Sequence, residues 1–114
     1  MIIAYHSCGW IEPIVGDLIE IGINVLNPLQ ESAGMNHSKM KEIYGDRVTF
    51  LCGLDTQSFL PGASVEEVRR QMQRELETMG KNGGYIAGSS HTIQHDVPAE
   101  NIMEMVNVLD TYRM

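Results

Sequence analysis

Four short runs of β-favouring residues alternate with four helical patterns along the chain, and this alternation limits the possible folds more than any other feature. Ile2-Ile3-Ala4-Tyr5-His6 reads as the first strand, and a helix is expected from about Glu12 to Ile21. Pro13 suits its first turn, where a missing N–H leaves nothing unpaired, and Gly22 supplies the stop. Ile14, Leu18 and Ile21 recur at spacings of four and three and are the expected buried face. Ile23–Asn27 is the second strand, Ser38–Tyr44 a helix ended by Gly45, and Val48–Cys52 the third strand.

The third helix carries the clearest signal. Ser64 and Glu67 form an S-x-x-E capping box, Val65, Val68, Met72, Leu76 and Met79 line one face, and Gly80 closes it. Gly83-Gly84 leads into the fourth strand, Tyr85–Gly88. Pro98 opens a last helix with an apolar stripe of Ile102, Met105, Val106 and Leu109. The eight methionines mostly fall at core spacing and read as packing.

Repeated βα units imply an α/β fold with a parallel sheet and right-handed crossovers. A small doubly wound sheet and half of a (β/α)8 TIM barrel both fit. Neither G-x-G-x-x-G nor G-x-x-x-x-G-K-[ST] occurs, so nucleotide binding has little support. In both architectures the ligand-binding loops follow the strands. Polar residues collect there: His6-Ser7-Cys8-Gly9, then Asn27, Gln30 and Glu31, then Cys52 and Asp55, then Ser89, Ser90 and His91.

His6-x-Cys8 is the sharpest local pattern. Residues two apart on a strand face the same side, so imidazole and thiol can converge on one point. Zinc accepts both ligand types, and a tetrahedral site needs at least one more, with His91, Cys52, Glu31 and Asp55 as candidates. A core cysteine beside a hydrogen-bonded histidine explains the same pattern without a metal. A cysteine nucleophile with a histidine base is a third reading, weaker because neighbours on one strand point in parallel. His91 could equally order its loop, and Asp55 could cap a turn. His37 and His95 are expected on solvated loops.

The formal charge of −7 argues against a general nucleic-acid or anionic-membrane binder. Two cysteines make no disulfide framework, and no signal peptide or membrane-length apolar run is visible, so a cytoplasmic location is expected.

Gly53-Leu54-Asp55-Thr56-Gln57, Gly83-Gly84-Tyr85-Ile86, Ser90-His91-Thr92-Ile93-Gln94 and Val97-Pro98-Ala99-Glu100-Asn101-Ile102 together resemble the C-terminal half of the uroporphyrinogen decarboxylase superfamily, from about Tyr5 to Tyr112. The resemblance implies a (β/α)8 barrel. The superfamily includes metal-free decarboxylases (carboxy-lyases) of porphyrin biosynthesis and zinc-dependent methyltransferases that work with corrinoid proteins and coenzyme M. The methyltransferase branch carries H-x-C-G after this strand as two zinc ligands, which His6-Ser7-Cys8-Gly9 matches. Its third ligand is a cysteine, whose place falls at His91, so the implied zinc set here is His6, Cys8 and His91. In the decarboxylase branch a histidine near the place of His91 contacts the porphyrinogen. Asp55 does not fall at the family's substrate aspartate. His91, Asp55 and Gln30 are the candidate substrate contacts.

The expectation is thus a single domain over residues 1–114, comprising four βα units from the C-terminal half of a barrel. It is short by about half against the roughly 250 residues of a typical barrel. Methyl transfer to a thiol is the favoured activity, with little turnover in the absence of an N-terminal half. The alternatives are a metal-free decarboxylase and a non-catalytic half-barrel that only oligomerises. Open sheet edges lead us to expect a homodimer or higher oligomer, or pairing with a separate N-terminal half, and a corrinoid protein is a further expected partner.

Overall fold

Each strand is followed by a helix that carries the chain back to the start of the next, so neighbours in sequence become neighbours in the sheet. The computed structural model describes residues 1–113. Strands β1 (Ala4–His6), β2 (Val25–Asn27), β3 (Thr49–Leu54) and β4 (Tyr85–Ser89) are parallel and lie in the order β1-β2-β3-β4. The helices are α1 (Glu12–Glu20), α2 (His37–Tyr44), α3 (Phe59–Gly62), α4 (Val65–Met79) and α5 (Ala99–Thr111). A doubly wound sheet reverses its strand order at a switch point. No reversal occurs here, and the sequential order is that of a barrel segment.

The two faces of the sheet are unequal. Tyr5, Leu26, Phe50 and Tyr85 stand in register across all four strands, and Phe50 on this side is fully buried beneath the helices. The opposite face carries His6, Val25, Asn27, Leu51 and Ile86. Ile86 there is 49% exposed, as are the apolar residues Ile2 and Ile3 that lead into β1, at 79% and 41%. This is the side that would face a barrel axis. Gly53 and Gly88 pair where β3 meets β4, and a Cβ on Gly53 would fall 1.7 Å from the Gly88 carbonyl oxygen. Any side chain there would push the strands apart.

Two apolar clusters fill the layer between sheet and helices. One joins Val15, Leu26, Met40, Phe50 and Met79, and the other Leu54, Leu60, Val68, Met72 and Met105. Val68, Met72 and Met79 of α4 are buried as expected, and its capping box is present, with Ser64 N–H donating to Glu67 and Glu67 N–H to Ser64.

Three expectations are corrected. In α1 the buried residue is Val15, with Leu18 and Ile19 beside it, whereas Ile14 and Ile21 are 45% and 78% exposed. The helix is rotated so that Val15, Leu18 and Ile19 meet the core while Ile14 and Ile21 turn outward. In α5, Val106 is exposed and Val108 takes the inward position. His37 does not lie on a solvated loop: it is the first residue of α2 and only 3% exposed. His95 does lie in an exposed turn. The short helix α3 and a 3-10 turn over Glu31–Ala33 carry no periodic apolar signal and were not expected. Observed strand ends differ from the expected ones by one or two residues, with β3 reaching Leu54.

Candidate metal centre

Asn27 ends β2 directly opposite His6, which ends β1. The Asn27 amide donates its N–H to the Leu51 carbonyl oxygen of the next strand at 2.8 Å, which turns its own oxygen toward the His6 Nδ1 at 2.5 Å. An amide oxygen only accepts, so the Nδ1 carries the proton and the Nε2 presents a lone pair. That Nε2 lies 3.6 Å from the Cys8 sulfur. Cys8 sits just past the strand, where the backbone is no longer pleated, so the two side chains meet instead of running parallel. This removes the geometric objection to a thiol–imidazole pair.

His91 reaches the same point from the loop after β4. Its ring stands edge-on to His6, with centroids 5.7 Å apart, and ligand atoms of His6, Cys8 and His91 all lie within 4.8 Å of one another. Nitrogen and sulfur ligands at ordinary zinc distances subtend roughly 3.5 Å at a tetrahedral angle. The spacing of His6 and Cys8 therefore suits one shared ion, and all three side chains are exposed on the strand-end mouth. Cys8 also follows a fixed loop: the Gly9 N–H donates to the Gln30 side-chain oxygen at 2.6 Å, and the Gln30 amide in turn contacts Ser32 and Gln57.

The other candidate ligands go elsewhere. Cys52 faces the helix layer and is fully buried, and burial pushes its thiol far above the ordinary range, so it stays protonated. One Asp55 oxygen accepts from Ser58 N–H, Ser58 hydroxyl and Phe59 N–H, closing the turn into α3. Burial raises its carboxyl pKa, but these donors outweigh that and hold it below the usual value. Its second oxygen has no partner among the described residues. Glu31 belongs with a second group, His37 and Glu75, treated below; burial first of all holds its carboxyl above the usual value.

Gln30, Asp55 and His91 line one cleft of about 420 Å³ that opens beside Cys8. Gln57, Gln94 and Asp96 line it as well. In the sequence, Gln57 and Gln94 stand only as parts of motifs, Asp96 is not marked, and nothing assigns these three to a cleft or gives Asn27 an orienting part. For Asn27 a signal existed: an asparagine at a strand end, on the strand expected beside that of His6. Asp96 and Gln94 lie in a long irregular loop, where spacing says nothing of direction.

No curated protein sequence matches the chain. Among solved structures, a methyltransferase from Methanosarcina mazei is similar, with a TM-score of 0.75 and 24% identity, covering 96% of this chain and 31% of that one. The chain thus spans about a third of that neighbour's length, and the likeness is one of fold. Residues 1–112 match the family model described as uroporphyrinogen decarboxylase (URO-D). By its sequence over nearly its whole length, and by the barrel-segment sheet that this sequence builds, the chain belongs to the uroporphyrinogen decarboxylase family.

Proposed function

We propose that this chain is the metal-holding end of a zinc-dependent methyltransferase-like barrel, which activates a thiol to accept a methyl group from a corrinoid partner. One observation carries the reading: Asn27 fixes the His6 tautomer so that the Nε2 lone pair faces Cys8 at 3.6 Å, with His91 alongside. His6, Cys8 and His91 would hold zinc. When bound, zinc lowers the pKa of a thiol so that a sulfur nucleophile exists at neutral pH.

The chain's own residues do the rest. Loss of the Cys8 proton to solvent readies its sulfur as a ligand, while the His6 Nε2 keeps its lone pair free to ligate beside it. Asn27 keeps the ring from rotating, and the Gly9–Gln30 bond keeps Cys8 at the mouth. The cleft beside Cys8 supplies amide and hydroxyl groups for orientation. Turnover by the whole enzyme draws on barrel units outside this chain, and we expect little or none from it alone.

Elemental analysis of protein purified without added metal tests the reading, with about one zinc per chain as the expected result. Loss of that zinc in well-folded His6→Ala and Cys8→Ala proteins supports the site. Metal-free protein that takes up no added zinc sinks it, and leaves the thiol–imidazole contact as a metal-free nucleophile–base pair. A decarboxylase reading would then regain ground, tested by titration with a polycarboxylate porphyrin against Trp10 fluorescence.

A further inference from the structure

We infer that the turn after β3 is a brace that sets His91 against Cys8, with Gln57 and Ser90 as positioning residues of the metal centre. This deepens the metal reading above and rests on it.

The two ends of the site are tied to different segments. Cys8 lies between two backbone donors, the Ser7 N–H to the Asn27 carbonyl oxygen at 2.9 Å and the Gly9 N–H to the Gln30 side-chain oxygen at 2.6 Å. Its position therefore follows the end of β2 and the segment after it. His91 comes directly after Ser90, which is tied to the end of β3 and the turn beyond. The Ser90 N–H donates to the Leu54 carbonyl oxygen at 2.8 Å, and its hydroxyl oxygen accepts from the Thr56 N–H at 3.2 Å. Ser90 and Thr56 are both buried, and their hydroxyls stand 3.4 Å apart.

Gln57, the next residue in the turn, joins the two segments. Its side-chain oxygen accepts from the Ser32 hydroxyl at 3.1 Å and from the Gln30 amide at 3.4 Å. One arm of the brace thus runs from Gly9 through Gln30 to Gln57, and the other from Thr56 to Ser90. The turn between the arms is closed: one Asp55 oxygen takes the Ser58 and Phe59 donors, and the Leu60 N–H donates to the Asp55 carbonyl oxygen at 2.9 Å. His6 and Cys8 already meet at 3.6 Å, so the placing of His91, exposed on an irregular loop, decides whether an ion finds a third ligand. A ligand held in place loses little freedom on binding; a loosened loop must be ordered by the ion, which weakens binding.

The test uses the full chain, with zinc affinity measured by chelator competition and geometry read from the visible absorption of bound Co²⁺, intense when four-coordinate and faint once water replaces protein ligands. We expect Gln57→Leu and Ser90→Ala each to weaken zinc about tenfold and to lower the Co²⁺ band toward that of His91→Ala protein. Gln57→Glu, which keeps the accepting oxygen, should retain the native band. Because the brace acts through His91, adding Gln57→Leu to the His91→Ala chain should change the affinity no further. Gln57 and His91 are both exposed, so this cycle decides the matter even if Ser90→Ala fails to fold. Native affinity and spectrum in Gln57→Leu overturn the inference and leave the metal reading intact, as does a full tenfold loss added to His91→Ala. Failure of the unsubstituted chain to take up either metal brings down both.

Discussion

Two histidines, each grouped with ligand-type side chains, one group exposed and the other mostly buried, are wired for different tasks. His6 is exposed, donates from Nδ1 to Asn27, and leaves Nε2 free toward Cys8 and His91. His37 is buried with both ring nitrogens engaged, Nδ1 to Glu75 and Nε2 to the Leu29 carbonyl oxygen, each at 2.8 Å. A carbonyl oxygen accepts only, so Nε2 must be protonated, and an ionised Glu75 requires a proton on Nδ1 as well. Burial by itself would lower the His37 pKa. The hydrogen bond and charge of Glu75, then the Leu29 carbonyl and Glu31, outweigh it, and the imidazolium is held above its ordinary pKa. Residue types alone make Glu31, His37 and Glu75 look as metal-ready as His6, Cys8 and His91. The complement of hydrogen bonds separates them: a ring with a spare lone pair can ligate, and a ring donating at both ends is a structural tie between α2, α4 and the loop after β2.

The largest effect should come from cutting that tie. Glu75→Gln or His37→Ala leaves one buried partner uncompensated and should cost about 3 kcal/mol, read from the denaturant midpoint. An unchanged midpoint would mean that the pair is not the tie described. Orientation of His6 comes next: Asn27→Ala should weaken zinc binding about 10- to 100-fold in a chelator competition, as loss of an outer-shell partner does elsewhere. His6→Ala, by contrast, should abolish zinc binding yet shift stability by less than about 0.5 kcal/mol, because the ring is exposed. If His6→Ala proved as destabilising as His37→Ala, the contrast would collapse.

The pH dependence is smaller and has a definite sign. The folded pKa of His37 lies above the ordinary value of about 6.5. Its contribution is therefore complete below about 6.5 and is lost as pH rises through the raised folded value. Urea unfolding at a series of pH values should show that decline in the native chain and a flatter curve in Glu75→Gln.

A last prediction concerns the exposure of His6 itself. The sheet leaves β1 and β4 as free parallel edges and an inner face with Ile86 exposed and Leu51 half-buried. We propose that a second copy closes it, the β1 edge of each copy pairing with the β4 edge of the other to complete eight strands. Light scattering should then give twice the 12.7 kDa chain mass, and a monomer at micromolar concentration would contradict it. Such closure would enclose the His6 group in a shared mouth and leave His37 as it is.

The fold was legible because barrel units repeat a local grammar. The capping box at Ser64 and the stripe Val68–Met72–Met79 are set by neighbours in sequence, and so is the placing of polar residues after each strand. His6-x-Cys8 was legible for the same reason. The sequence did not decide between Ile14 and Val15 as the inward residue of α1, since both sit at helical spacing and only the packing of α1 on β2 selects one. Nor could it show that His37 is buried and bonded at both ring nitrogens. His6 and His37 differ in their acceptors, which lie 8 to 38 residues away in the chain. Local sequence thus determined the units, their order and which end carries the chemistry. Tertiary structure alone gave each histidine its acceptors, because hydrogen bonds between residues distant in sequence exist only once the chain has folded.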